Sequence, residues 1–189
     1  MHKVINLFAG PGTGKSTTCA ALFAELKYRG VNTEMVLEYA KSAAWEGRLS
    51  ASKIENGVYT PPSKIAKAQE YIFGKQSFGL SRVADEVAFT ITDAPLLLGL
   101  VYMPTEFGMP SLRQTIREAH RQYDNLNVFL VRNKPYNPKG RVQDEEGAKE
   151  LDTKIREMLL MNDSFHILQF DRENVTQIID LMYLKGWLQ

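Results

Sequence analysis

The residues best suited to chemistry lie near the start of the chain. Ala9-Gly10-Pro11-Gly12-Thr13-Gly14-Lys15-Ser16-Thr17 combines glycines, a lysine and hydroxyls at a spacing that suits a chain of phosphates. Glycines let successive backbone N–H groups turn inward and form a concave nest for phosphate oxygens. A helix starting near Lys15 adds the positive end of its dipole. The Lys15 ammonium then reaches the β- and γ-phosphates, and the Ser16 hydroxyl is a ligand for Mg²⁺. The segment from Gly10 through Thr17 is therefore the candidate triphosphate cradle. It is a Walker A loop with Ala9 at the position of the first glycine.

Two carboxylates and a cation stand where such a cradle needs them. Asp93 ends the apolar run Ala88-Phe89-Thr90-Ile91-Thr92, the place from which an acid holds Mg²⁺ directly or through water. An Asp ahead of Pro95 equally suits a helix N-cap. Glu38 follows Val36-Leu37 at the end of a second apolar run, where it could take a proton from an acceptor hydroxyl or hold that hydroxyl in line. The same residue suits the first turn of a helix, where the dipole favours an acid. Arg141 lies in the polar stretch from Asn133 to Gly147, which reads either as a lid carrying a cation to the phosphoryl group or as a solvated loop.

Short apolar runs alternating with longer amphipathic stretches must position these groups. Val4–Ala9, Asn32–Leu37, Val87–Thr92, Val128–Val131 and His166–Phe170 read as strands. Between them lie helical patterns over Lys15–Arg29, Glu38–Glu46, Ser63–Asp85 (with Ser63 as cap), Ser111–Tyr123 and Ala148–Met161, and Val175–Tyr183 closes the chain. Strands joined by helical crossovers predict an α/β fold with a parallel sheet between two helical layers. Residues 1–189 are expected to form a single domain, with the lid loop at about 133–147 and an acceptor-side insertion at about 47–85.

Composition narrows the classes further. Of 189 residues, 44% are apolar and 24% charged, which excludes disordered and fibrous chains. A net charge of +1 leaves no overall basic field for nucleic acid. The single cysteine, Cys19, excludes an intrachain disulfide, and it reads as a packed residue rather than a nucleophile. His2, His120 and His166 share no metal-ligand spacing. The apolar segment Ala94–Met103 is too short to span a bilayer and the N-terminus lacks the pattern of a secretory leader, so a cytoplasmic location is expected.

The loop at 9–17, Glu38-Tyr39-Ala40-Lys41, Gln69, Asp93-Ala94-Pro95 and Arg141 together resemble small P-loop kinases and ATPases. The chain is most similar to domains related to the nicotinamide ribonucleoside kinase portion of bacterial NAD regulators, and it also resembles phage-encoded P-loop nucleoside or nucleotide kinases. The resemblance implies a three-layer P-loop NTPase fold with a five-stranded parallel sheet in the order 2-3-1-4-5. It implies ATP as phosphate donor, Mg²⁺ as cofactor and a nucleoside- or nucleotide-type acceptor. It makes Gly12, Gly14, Lys15, Ser16 and Thr17 the cradle, Asp93 the magnesium-associated acid, Glu38 the substrate-side acid and Arg141 the lid cation, and it places Gln69 near the acceptor pocket. Asp144-Glu145-Glu146 after Arg141 is more acidic than a lid with several arginines, and the acceptor stays open.

Other classes fit less well. A regulatory GTPase would need a carboxylate where Asn133-Lys134-Pro135-Tyr136 carries tyrosine, and a glycine where Asp93-Ala94-Pro95-Leu96 carries leucine. An oligomeric ATP-driven motor would need an arginine in trans and, in general, a further helical domain. A kinase acting on a hydroxymethylated base in DNA, such as 5-hydroxymethyluracil in phage DNA, would need basic and aromatic residues beside the crevice. Arg48, Lys53, Tyr59, Lys64 and Lys67 could supply them or could form a solvated face. Trp45 could stack on a base or sit in the core.

Overall fold

Alternation along the first strand already decides the layers of the molecule. In β1 (Lys3–Phe8), Ile5, Leu7 and the following Ala9 pack into one apolar cluster, while Val4 and Phe8 point into clusters on the opposite face. A strand buried on both faces needs helices above and below it. The computed structural model describes residues 1–40, 54–55, 58–59, 61–105, 109–133 and 145–189, with the short pair at 54–59 described by its backbone alone.

The chain runs β1, α1 (Lys15–Tyr28), β2 (Thr33–Val36), β3 (Ile54–Glu55), β4 (Val58–Tyr59) and α2 (Pro62–Ser81). It continues as β5 (Phe89–Thr92), α3 (Leu98–Tyr102), α4 (Pro110–Arg121), β6 (Asp124–Val131), α5 (Glu145–Asn162), β7 (His166–Gln169) and α6 (Asn174–Leu184). β3 and β4 form a separate antiparallel pair. The main sheet has the order β2-β5-β1-β6-β7 and every pairing in it is parallel. Numbering those five strands in sequence gives 2-3-1-4-5, the expected three-layer arrangement.

On one face, α1 and α6 close the largest core, in which Cys19, Leu22 and Leu26 of α1 meet Ile178, Ile179 and Met182 of α6. Asn174 of α6 donates to Thr18 Oγ1 of α1 at 3.0 Å, so the two helices are tied just behind the loop at 9–17. On the other face, α3, α4 and α5 bury Leu97, Leu100, Ile116, Ile155 and Leu159 against Phe8 and Phe129. Cys19 is buried, and burial raises its thiol to about 12, so it packs as an inert residue. Among the described residues, no helix is long and apolar enough to cross a membrane.

Several boundaries differ from the sequence reading. α2 starts at Pro62 with Pro61 as its cap, because proline suits a first helical position, where no N–H donor is required. It stops at Ser81, and residues 82–86 turn in tighter steps, Val83 to Leu80 and Glu86 to Val83. The third strand begins at Phe89 rather than Val87. β6 begins at Asp124, ahead of the expected Val128, and α5 begins at Glu145 inside the stretch expected to be loop. The early residues of β6 looked like loop because they are polar. Their side chains are instead satisfied in a buried network. Asn6 donates to Asn125 and Asn127 at 2.9 and 3.0 Å, and Asn127 donates to Asp163 and to the Ser164 carbonyl at 2.9 Å.

His120, buried at the end of α4, donates from Nε2 to Asp163 Oδ2 at 2.8 Å. Burial, outweighing the attraction of Asp163, lowers its pKa below the ordinary 6.5. The folded state therefore resists protonation that the unfolded chain accepts. Stability from this group is complete above about pH 6.5 and is lost as pH falls toward the lower folded value. His2, which meets Thr90 Oγ1 at 2.8 Å, is shifted in the same direction by burial. Melting temperatures should accordingly fall between pH 7.5 and 5, and His120→Gln should flatten that slope; an unchanged slope would remove His120 from the account.

Candidate active site

All five strands of the sheet run the same way, so the ends of β1, β2, β5 and β6 bring residues 9–17, Glu38, Asp93 and Arg132 to one edge. In open parallel sheets the crevice outside the carboxyl ends is where ligands bind. The loop at 9–17 leaves β1 and enters α1, with Gly14 as the residue before the helix. Gly12 and Gly14 have φ of 80° and 123°, which L-residues rarely adopt. Gly14 also has no room for a side chain, since a Cβ there would lie 2.1 Å from the Phe170 ring. Phe170 is held in place by its own N–H, which donates to the Val131 carbonyl at 2.9 Å. Thr13 closes the loop from within by donating to the Gly10 carbonyl at 3.1 Å.

Ala9 fills the first-glycine position without strain. Its methyl packs in the core and its carbonyl accepts from Lys15 Nζ at 2.7 Å. The Lys15 ammonium is thus folded back onto its own loop. Burial pushes its pKa below the usual lysine range, while Glu38, Asp93 and Asp152 pull it up and Arg132 pushes it down. Among the described residues, those four charged side chains shape its electrostatic surroundings.

Asp93 is buried, and each of its carboxylate oxygens accepts a hydrogen bond. Oδ2 accepts from the Ser16 hydroxyl at 2.5 Å and Oδ1 accepts from the Glu38 N–H at 3.0 Å. It caps no helix: α3 starts after Leu97, with no side-chain cap. The bond to Glu38 fixes the end of β2 against the end of β5. Behind Asp93, Gln76 of α2 donates to Thr92 Oγ1 at 3.1 Å, and Thr92 Oγ1 also accepts from the Ala94 N–H at 3.1 Å. Ser16 and Asp93 together form an oxygen-only donor pair, the kind that Mg²⁺ takes.

Glu38 is half-buried beside this pair, with Tyr39 next to it. The Tyr39 and Tyr71 rings meet edge to face at 5.6 Å, and Lys75 Nζ lies 5.7 and 5.6 Å from their centroids. Tyr71 is 46% exposed, so this aromatic pair faces solvent. Tyr102 of α3 lies within the field of both Glu38 and Asp152. Burial first, then those two charges, raise the pKa of its phenol and keep it protonated. Gln69 is buried in α2, and Gln76 of the same helix reaches the end of β5. Arg141, Trp45, Arg48 and Lys53 lie outside the described residues, as do the side chain of Tyr59 and most of the stretch at 133–147. Lys64 and Lys67 are exposed on α2.

Sequence reasoning missed Arg132, Asp152 and Gln76. A residue that ends a strand, as Arg132 does, was open to notice. Asp152 and Gln76 sit mid-helix with nothing in their spacing to mark them.

A family model described as an AAA domain matches residues 4–174. The chain belongs to this AAA-domain family. No curated protein matches the sequence. Among solved structures, this AAA domain is similar to NadR in complex with NAD and AMP-PNP, at a TM-score of 0.68 and 15% identity. That match covers 100% of this chain and 50% of NadR, so the chain spans half of that protein's length. It is also similar to a variant of the APS kinase CysC of Mycobacterium tuberculosis, at a TM-score of 0.50 and 16% identity over 96% of this chain and 97% of that one. At these identities the likeness is one of fold: a P-loop sheet flanked by helices.

The close contact at Gly14 predicts a compensating pair. Gly14→Ala should cost at least about 2 kcal/mol, from backbone strain and overlap with the Phe170 ring. Gly14→Ala/Phe170→Ala should be less destabilised than the sum of the single variants, because the second change removes the overlap. Denaturant unfolding of the four proteins checks this, and additive costs would show that the ring does not press on the loop.

Proposed function

We propose that this AAA domain is a phosphotransferase that moves the γ-phosphoryl group of ATP to a hydroxyl or phosphate of a nucleoside- or nucleotide-type acceptor. The observation that supports the reading most is the meeting of Lys15, Ser16, Asp93 and Glu38 at adjacent strand ends, with Ser16 and Glu38 both bonded to Asp93. Similarity in fold to a structure titled as an APS kinase, and to NadR solved with AMP-PNP, points the same way.

The loop from Gly10 to Thr17 cradles the phosphates through its N–H groups and the start of α1. Lys15 leaves the Ala9 carbonyl for the β- and γ-phosphate oxygens, a short move because it already lies over the loop. Ser16 and Asp93 would hold Mg²⁺, which offsets phosphate charge when bound. Glu38 takes the proton of the acceptor hydroxyl or orients it. Arg141, in this reading, brings a cation to the transferring group. With little covalent chemistry to perform, the protein contributes position and charge.

The Tyr39–Tyr71 pair beside Glu38 favours an acceptor that carries a base, since an exposed aromatic face with a cation suits stacking. It serves a free nucleoside and a base within DNA equally. Labelled ATP offered with nucleosides, nucleotides and DNA containing 5-hydroxymethyluracil separates these acceptors. Turnover fastest with one of them is expected, whereas equal ATP hydrolysis with and without every acceptor would indicate a P-loop ATPase instead.

Lys15→Ala should abolish transfer with the fold intact. Glu38→Gln should lower kcat by about 10²–10⁴-fold while donor KM changes little. Equal losses in both constants would make Glu38 a structural residue. Tyr71→Ala should raise acceptor KM, at a cost of about 1–3 kcal/mol, and leave donor KM alone.

A further inference from the structure

Arg132 and Asp152 form a second polar assembly at the crevice, on the opposite side of the loop from Glu38. Asp152 Oδ1 accepts from the Gly10 N–H at 2.5 Å, and its Oδ2 accepts from Arg132 Nη2 at 3.2 Å. Arg132 Nη1 donates to the Pro11 carbonyl at 3.0 Å. The pair therefore grips a donor and an acceptor of the Gly10–Pro11 dipeptide, where the chain leaves β1 and begins to curl around the phosphate site. Proline offers no N–H of its own, so few other polar handles exist at this point.

The approach of α5 is close enough to dictate the residue at position 10. A Cβ on Gly10 would lie 2.6 Å from Asp152 Oδ1 and 2.8 Å from the Ala148 carbonyl. Gly10 thus makes room for the helix. Both side chains are also within electrostatic range of Lys15, with opposite effects on it. Arg132 is 10% exposed and Asp152 19% exposed, and both border an open cavity of about 360 Å³ lined also by Lys149, Thr153 and Arg156. Water can reach the pair from that side, so its loss need not leave a charge sealed in the core.

We infer that Arg132 and Asp152 are positioning residues that set the entry of the phosphate loop, and that triphosphate affinity depends on the pair acting as a unit. The inference rests on the nucleotide-binding part of the proposed function. A pure charge effect would have the opposite sign at Asp152: removing a carboxylate near the phosphates lowers repulsion and should tighten binding. Loss of the grip on Gly10–Pro11 loosens the loop and weakens binding.

Binding of a fluorescent ATP analogue with Mg²⁺ to the full chain distinguishes the two, with melting temperature measured without nucleotide. Asp152→Ala and the near-isosteric Asp152→Asn should each weaken binding at least about tenfold, the effect of losing a charge-assisted hydrogen bond that holds the loop. Arg132→Met should do the same, and Arg132→Met/Asp152→Ala should bind about as weakly as the worse single variant. Asp152→Asn keeps the side-chain volume and so retains the test should Asp152→Ala not fold. Unchanged or tighter binding in the folded Asp152 variants, or losses that multiply in the double variant, would overturn the inference. Failure of the underlying reading would appear instead in the wild type, as no binding of the analogue.

Discussion

A lysine ammonium enclosed by a protein needs counter-charge, and the architecture of this crevice follows from that need. Lys15 is folded onto the Ala9 carbonyl, with burial acting against its charge and three carboxylates acting for it. Glu38, Asp93 and Asp152 reach it from the end of β2, the end of β5 and the body of α5. Arg132, from the end of β6, balances the acids. Burial is the stronger influence and holds the pKa of Lys15 below its usual range, and the carboxylates offset part of that loss. A phosphate chain would replace part of that surrounding with its own oxygens.

Only a parallel sheet with β1 in the middle brings these groups to one place. β5 and β6 flank β1 on either side, and β2 lies beyond β5, so four strand ends converge within two strand spacings of the loop. Asp93 then works as a hub. One oxygen holds Ser16 and the other holds the backbone of Glu38, so one buried carboxylate fixes both the proposed metal donor and the proposed acceptor-side acid. Gln76 and Thr92 brace the backbone on either side of Asp93, while Phe170 and α5 brace the loop from the far side.

Much of this was legible in the sequence because it is local. The glycines at 10, 12 and 14, the Lys15-Ser16 pair and the strand-then-helix context lie within one short stretch, and their physics does not depend on distant residues. Strand order was legible through resemblance, with all five strands of the main sheet found and the short β3–β4 pair missed. The start of β6 was hidden because Asn125 and Asn127 look like loop residues until Asn6 and Asp163 are seen to satisfy them. Asp152 was hidden for a related reason, and so was the pairing that gives Arg132, noticeable at its strand end, a purpose. Their meaning lies in a contact between residues far apart in sequence, across a helix approach that no periodicity encodes. Gln76 was hidden because it lies mid-helix, two turns beyond Gln69 on the same buried face, and spacing does not mark it as a partner of Thr92.

The central claim is that the turn between β1 and α1 holds a nucleoside triphosphate with its metal. Titration calorimetry of the full chain with ATP, run with and without Mg²⁺, measures it directly. The account predicts saturable binding at one site per chain that weakens when Mg²⁺ is withheld. A folded protein that gives no heat of association with ATP or GTP under either condition would contradict it.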